Sequence, residues 1–397
     1  MAEIKNLVKV SRRLKKAIKE GERIVLFSDS DLDGVTSLLI LEESLKSLGA
    51  QEIFVYFPDR GEEGYGLTDF ALKHLLKYSP ALLVMTDCGV GNLREVEKAR
   101  AAGFEIIILD HHEIIGDLPK AVLIVNPKQP ADKYPFKFLS ACGICFKLAG
   151  KLLGREFADL MRKNLLELAT LGTIADRMPL EKDNKNIIDE GLKEIGLTVR
   201  PAFQVFFEEF SLERYSLAEI IQKMVSLMQI TAVKNHLTRS YQFLSSSNQE
   251  EAKKILQELI QESFERQEII KQFYEEVDEA VSGKSGDFIF WGSDKFSFSL
   301  TGSLATRICA KFKKPSFIFA EKNNLARGSV RAPLGFNSVQ ALQYCSSLLL
   351  TYGGHPPAAG FTLEKKNLEK FRQCLEEYSQ KIKKEKCSPE KKKGLKK

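Results

Sequence analysis

The 397-residue chain is expected to be α/β: an N-terminal parallel-sheet domain joined by a long helical connector to a smaller α/β domain. Three observations predict this. Short apolar runs alternate with segments of helical period through the first half. A long charged stretch without Gly or Pro follows it. Strand-like runs then return before the C-terminus. At ~150 residues per domain the length suits two or three domains. The expected divisions are 1–200, 201–282 for the helical connector, 283–380, and a basic flexible tail over 381–397.

The first run, Ile24-Val25-Leu26-Phe27, leads through a polar loop into TSLLILEESLKSLG, whose apolar positions recur at helical spacing up to Gly49. Further strands are expected at 53–57, 81–85, 106–109 and 122–125, with helices at 67–78 and 92–102 between them. Strand–helix repetition of this kind builds a parallel sheet covered on both faces. Helices at 142–154 and 159–175 close the domain. The segment 249–281 reads as one long helix, and 287–291 and 315–319 as strands around a helix at 302–312. Trp291 then falls in a core, and His74 and His236 read as ordinary helical surface or packing residues.

The net charge of +6 is unevenly placed. Residues 381–397 hold nine Lys and two Glu, leaving 50 basic and 51 acidic residues elsewhere, so the basic balance reads as a property of the tail. Such a tail either serves solubility or tethers a polyanion. No apolar run reaches the ~18 residues of a membrane span, and the first twenty residues lack the apolar core of a secretory signal. The seven cysteines form no regular framework, which fits reduced thiols and a cytoplasmic protein.

In open parallel sheets, ligands bind beyond the carboxyl ends of the strands. Asp29, Asp31 and Asp33 follow the first strand, Asp87 the third, and Asp110-His111-His112-Glu113 the fourth; Asp176 ends an apolar helical run. A single acid after a strand is a common helix cap. Acids gathered from several strand ends repel one another unless protons or cations neutralise them. Carboxylates with a histidine suit two divalent ions, Mn²⁺ or Mg²⁺. A pair ~3.5–4 Å apart serves in-line displacement at phosphorus.

These residues resemble the DHH phosphoesterases, named for the triplet Asp110-His111-His112, and within them the RecJ group of single-strand exonucleases. The supporting motifs are DSDLDG at 29–34, TDCG at 86–89, LDHHE at 109–113, TIAD at 173–176, and Pro58, Arg60, Glu63, Gly64, Tyr65 and Gly66 of a PxRxxEGYG stretch. GGHPPAAG at 353–360 resembles the signature of the DHHA1 domain. The resemblance implies metal ligands at Asp31, Asp33, Asp87, His111 and Asp176, with Asp87 bridging both ions and Asp29 behind them. Asp110 would orient a histidine or act on a metal indirectly, and His112 would contact the scissile phosphate. His355, on a Gly-Gly turn formed by Gly353 and Gly354, would do the same, with Arg331 on phosphate or sugar. Arg60 and Glu63 suit either an ion pair with each other or substrate contact. Tyr65 suits either a stacked base or packing.

The implied activity is 5′-to-3′ hydrolysis of single-stranded DNA or RNA, with replication or repair proteins as possible partners and no membrane. Two departures bear on substrate grip. The backbone-holding stretch expected after the fourth motif is replaced by 230–235, with Lys234 or Arg239 as substitute charge, and 37 residues after Gly360 leave no room for the OB fold of larger RecJ proteins. Few contacts would then extend beyond the cleft, implying low processivity and an activity that varies little with strand length beyond about ten nucleotides. The alternatives are a nano-RNase or cyclic-dinucleotide phosphodiesterase, a pyrophosphatase, or a non-catalytic replication scaffold.

Overall fold

The computed structural model describes residues 2–211, 213–229, 233–282, 286–295 and 297–387, with side chains through 383. It divides into two compact units, 1–264 and 265–397.

The first unit runs α1 (Leu7–Glu20), β1 (Ile24–Ser28), α2 (Leu32–Ser47), β2 (Ile53–Tyr56), α3 (Asp69–Leu75), β3 (Ala81–Thr86), α4 (Leu93–Ala101), β4 (Phe104–Leu109) and β5 (Leu123–Val125). It continues with α5 (Ala141–Leu153), α6 (Asp159–Ala175), α7 (Lys182–Glu194), α8 (Pro201–Glu209) and α9 (Leu217–Met228). A short hairpin, β6 (Val233–Lys234) and β7 (Leu237–Thr238), then leads to α10 (Arg239–Leu244). Strand order is β2-β1-β3-β4-β5, and every pairing is parallel. β1 is buried along its whole length because helices cover both faces of the sheet, which is why its sequence is a continuous apolar run rather than an alternating one.

The span 201–282 is divided rather than a free connector. Phe203, Phe206, Met224, Phe243, Leu256 and Leu259 are buried in the core of the first unit with α2, α5 and α6. The helix α11 (Gln249–Val281) continues into the second unit, where Ile270 and Val277 pack with Leu304 and Ile318.

The second unit adds β8 (Ile289–Ser293), α12 (Phe298–Phe312), β9 (Ser316–Lys322), β10 (Leu325–Arg331), α13 (Ser338–Tyr344), β11 (Thr351–His355), β12 (Ala358–Glu364) and α14 (Leu368–Cys387). Its sheet runs β11-β12-β10-β9-β8 and is antiparallel except for the β8–β9 pair. Three expectations change here. Gly353 and Gly354 lie in the edge strand β11 and not in a turn; the reversal is made by Pro356 and Pro357. Residues 381–387 belong to α14, so that part of the expected tail is helical, while 388–397 lie outside the described residues. Cys345 and Cys374 form a disulfide across 29 positions, against the reading of all thiols as reduced; Cys88, Cys142, Cys145 and Cys309 are free. Trp291 is partly buried and packs on the α11–α12 core. Among the described residues no helix is long and apolar enough to cross a membrane.

Candidate metal centre

The carboxyl edge of the first sheet is built from loops that leave β1, β3, β4 and β5. After β1 the chain turns directly into α2, with Asp31 as its N-cap accepting a hydrogen bond from the Gly34 N–H. A Cβ at Gly34 would lie 2.2 Å from the Asp29 carbonyl oxygen, so only glycine permits this tight return. The Thr86 hydroxyl donates to Ser28 Oγ at 2.8 Å, which in turn donates to the Gly34 carbonyl at 2.8 Å, tying the β1 and β3 ends together.

Asp33 faces inward from the first turn of α2. Its two oxygens accept the backbone N–H groups of Ala141 and Cys142, both at 2.9 Å, at the start of α5. An anion is favoured at a helix N-terminus, yet burial dominates and, with Asp31 nearby, pushes the Asp33 carboxyl up to about 6. Asp87 sits at φ 56, a left-handed conformation sparsely used by residues other than glycine. Such strain persists where the surroundings over-determine it, commonly at functional sites. Burial raises the Asp87 carboxyl well above the usual range, and Asp31, Asp33, Asp176 and Asp110 raise it further. Asp176 is raised by burial and by Asp33 and Asp31, with Lys128 opposing.

His111 is buried and aims Nε2 at three acids: 3.2 Å from Asp87, 3.5 Å from Asp176 and 3.8 Å from Asp33. Asp110 behaves differently. Its Oδ1 accepts from the His111 N–H at 2.7 Å and faces His112 Nδ1 at 2.8 Å; its Oδ2 accepts from the Val90 N–H at 3.0 Å. Burial alone would raise its pKa, but the His112 charge, the hydrogen bond to that ring and the backbone donors outweigh it and hold Asp110 ionised. Asp110 therefore orients His112. Tyr65 lies edge-on to His112 with ring centroids 5.8 Å apart.

Arg60 does not pair with Glu63. Its guanidinium grips both oxygens of Asp29 and reaches Asp31 Oδ2 at 2.9 Å. Glu63 instead accepts from the Tyr56 hydroxyl at 2.7 Å and the Asp59 N–H at 3.0 Å. His236 is not helical: it stands in the β6–β7 turn and stacks on Tyr56 at 4.1 Å. Of the altered stretch 230–235, residues 230–232 lie outside the described residues and Val233–Lys234 form β6. Arg239 is engaged by Glu258 and Glu262 of α11.

Within the first unit, three sets of described side chains could each hold an ion, their ligand atoms lying within 4.8 Å of one another: Asp33, Asp87 and His111; Asp87, Asp110 and His112; and Asp29, Asp31 and Asp87. Asp87 is common to all three. Its Oδ1, like Asp176 Oδ2, is buried and accepts no hydrogen bond among the described residues. Buried carboxylate oxygens without donors, beside other acids, are the chemistry a divalent cation satisfies. The residues present fit such ions.

Sequence reasoning missed two residues at this edge. Asn126, buried at the end of β5, donates to the His112 carbonyl at 3.0 Å. Lys128 pairs with Glu113 at 2.9 Å and opposes the rise at Asp176. Both follow a strand end, so the rule that found the aspartates would have found them.

In the second unit, Arg331 of β10 and His355 of β11 are both cross-strand partners of Ala358 in β12. Directly paired residues share a sheet face, so the two side chains flank one small residue about 10 Å apart. Gly302 on α12 lies beside this face; a Cβ there would be 3.2 Å from an Arg331 nitrogen.

A parallel sheet with carboxylates and paired histidines at its carboxyl edge, followed by a second α/β unit with a glycine–histidine strand, defines a class. Residues 23–173 match the DHH family N-terminal domain and residues 289–383 the DHHA1 domain, and the chain belongs to the DHH family. Within it the similarity is to RecJ. The chain is 34% identical over 385 residues to the single-stranded-DNA-specific exonuclease RecJ of Bacillus subtilis (strain 168), covering 94% of this chain and 48% of that protein. It is 28% identical to the RecJ of Escherichia coli (strain K12), covering 90% and 66%. It thus spans about half to two thirds of the length of these relatives. A crystal structure of exonuclease RecJ bound to manganese aligns with a TM-score of 0.78 at 26% identity, covering 95% of both chains. RecJ of Thermus thermophilus in complex with Mn²⁺ aligns at 0.81 and 25% identity, covering 95% of this chain and 55% of that one.

Proposed function

We propose that this chain hydrolyses phosphodiester bonds in single-stranded DNA from the 5′ end, using divalent ions held at the carboxyl edge of the first sheet. The observation that carries this reading is Asp87: a strained, buried carboxylate common to three candidate ligand sets of the first unit, with an oxygen that accepts no hydrogen bond among the described residues. The similarity to single-stranded-DNA-specific exonucleases, including manganese-bound ones, supports it. Asp31, Asp33, Asp87, His111 and Asp176 are the proposed ligands. When bound, two Mn²⁺ or Mg²⁺ ions would supply Lewis-acid charge for in-line displacement at phosphorus.

The remaining roles belong to the chain itself. Asp110 fixes the His112 ring through its 2.8 Å contact with Nδ1, and His112 so oriented is the proposed contact to a phosphate oxygen. Arg60 keeps Asp29 and Asp31 from repelling each other, and Asp29 thereby positions Arg60. Tyr65, half exposed, offers its ring to a base. In the second unit His355, Arg331, Gly353 and Gly354 are the proposed phosphate contacts, since donors that meet developing charge stabilise the transition state. A cytoplasmic setting among replication or repair proteins belongs to the same proposal.

The test is a product ladder. Single strands labelled at the 5′ or 3′ end are incubated with Mn²⁺, with a blunt duplex and RNA strands as comparisons. Progressive release from the 5′ end of single-stranded DNA supports the reading. Attack confined to dinucleotides, or none with Mn²⁺, overturns it.

A further inference from the structure

We propose that the outward face of α1 is a second binding track for the phosphate backbone of the single strand engaged at the carboxylate edge. This inference rests on the reading of the substrate as a single strand.

α1 buries Leu7, Val10, Ser11, Leu14 and Ala17 along one side. Lys9, Arg12, Lys16 and Lys19 lie opposite, at a three-four-three spacing that stacks them along one line of a helix with 3.6 residues per turn. At 1.5 Å per residue that line is about 15 Å long. All four are exposed, as is Lys15 beside them. Among the described residues Lys9, Arg12, Lys15 and Lys19 have no acidic partner, and Lys16 has only the exposed Glu20 at 3.6 Å, a pairing of the weakest kind. The nearby acids that could neutralise the stripe are engaged elsewhere: Glu22 and Glu105 are both held by Arg13, and Glu3 by Lys151. The near-zero charge of the chain outside its tail is therefore an average. It hides a helix with six basic residues and one acid among fourteen positions.

The placement of α1 points to the strand as occupant. The helix starts at the carboxyl edge: Asn6 donates to the Ile124 carbonyl at 2.9 Å, and the Lys5 N–H to Asp132 at 2.7 Å. Asn126, two residues beyond Ile124, holds the His112 backbone. From there α1 runs toward the opposite end of the sheet, where Arg13 meets Glu105 at the start of β4. A row of cations thus begins near the candidate site and leads away from it. The face also lacks the apolar anchors that a lipid surface or an amphipathic peptide requires. Among the described residues, the first exposed large apolar side chain along the chain is Tyr65. Evenly spaced cations without apolar neighbours match a polyphosphate backbone.

The test compares the full chain with the quadruple variant K9Q/R12Q/K16Q/K19Q and with a charge-matched control, R155Q/K193Q/K253Q/K254Q, whose sites are also exposed. Binding of a hydrolysis-resistant phosphorothioate strand of about 30 nucleotides is followed by anisotropy with Mn²⁺ present, from about 50 to 300 mM salt. Single-strand binding loses ~0.7 in log-log slope per phosphate contact, so neutralising the track should flatten the slope by about 2 to 3 and weaken binding about tenfold or more at the lowest salt. The control should keep the native slope. Circular dichroism and the unfolding midpoint establish that the variant is folded. An unchanged slope in the folded variant, or equal flattening in the control, overturns the track. Hydrolysis by the native chain is scored separately on a cleavable strand. Its loss would sink the functional reading, and its presence with an unchanged variant slope would sink only this inference.

Discussion

The two units present opposite chemistry on differently built sheets. The first gathers carboxylates at the ends of parallel strands, where successive loops leave from one edge and buried acids converge without a place to shed charge. The second places Arg331 and His355 on the face of a largely antiparallel sheet, around the small Ala358. A parallel edge concentrates loop residues from distant parts of the sequence; an antiparallel face sets side chains at fixed strand spacings. The first arrangement suits cations that several ligands must share, and the second suits a phosphate that donors must meet.

The largest effect should come from the anionic side. Asp87→Asn keeps a residue type that tolerates a left-handed backbone while removing the shared charge. Mn²⁺-dependent hydrolysis should fall by at least ~10³, since metal charge stabilisation is worth several kcal/mol. The apo variant should unfold no earlier than the native chain, because one buried, repelled carboxylate is gone. Near-native hydrolysis would remove Asp87 from the site. The cationic side should matter less: His355→Ala and Arg331→Ala should each cost about 10²-fold in rate, the range for losing one preorganised donor. If either matched Asp87→Asn, the division of labour between the units would be wrong.

Much of this contrast was legible beforehand, for a physical reason. The central strands β1, β3 and β4 of the first sheet are buried on both faces, so they stand out as apolar runs, and the acids that follow them mark the site edge. The long helix over 249–281 announced itself by its lack of Gly and Pro, and its bounds agree with those expected. The second unit was harder to read. Gly353 and Gly354 look like a turn because glycine usually signals one, yet an edge strand tolerates them, as it has a partner on only one side. The Cys345–Cys374 pairing has no local signature across 29 positions. The basic face of α1 disappeared into a charge sum. Asn126 follows a strand that was expected, but it carries no charge and so does not stand out beside the acids at the other strand ends.

A smaller effect separates structural burial from site burial. Glu167 on α6 is buried away from the metal edge, beside Arg200, which Glu43 holds through both oxygens. Burial pushes its carboxyl up to about 7, with the Thr198 hydrogen bond and Arg200 opposing and Glu43 adding to the rise. A folded value above the unfolded one means that the folded protein holds the proton more tightly. The stability this contributes is complete below the unfolded value near 4.5 and is lost as pH rises through about 7. Glu167→Gln should therefore gain on the native chain by about 1–3 kcal/mol between those limits in denaturant titrations. A gap that does not vary with pH would show that Glu167 is already ionised in the fold.

The proposed metal centre holds two divalent ions at the carboxyl edge of the first sheet through Asp87. Mn²⁺ titration of the native chain and of Asp87→Asn, followed by electron paramagnetic resonance of the free ion, tests it most directly. Two ions should bind per native chain, with fewer or much weaker sites in the variant at undiminished folding. Equal stoichiometry and affinity in the two proteins, or no tight Mn²⁺ in the native chain, would contradict it.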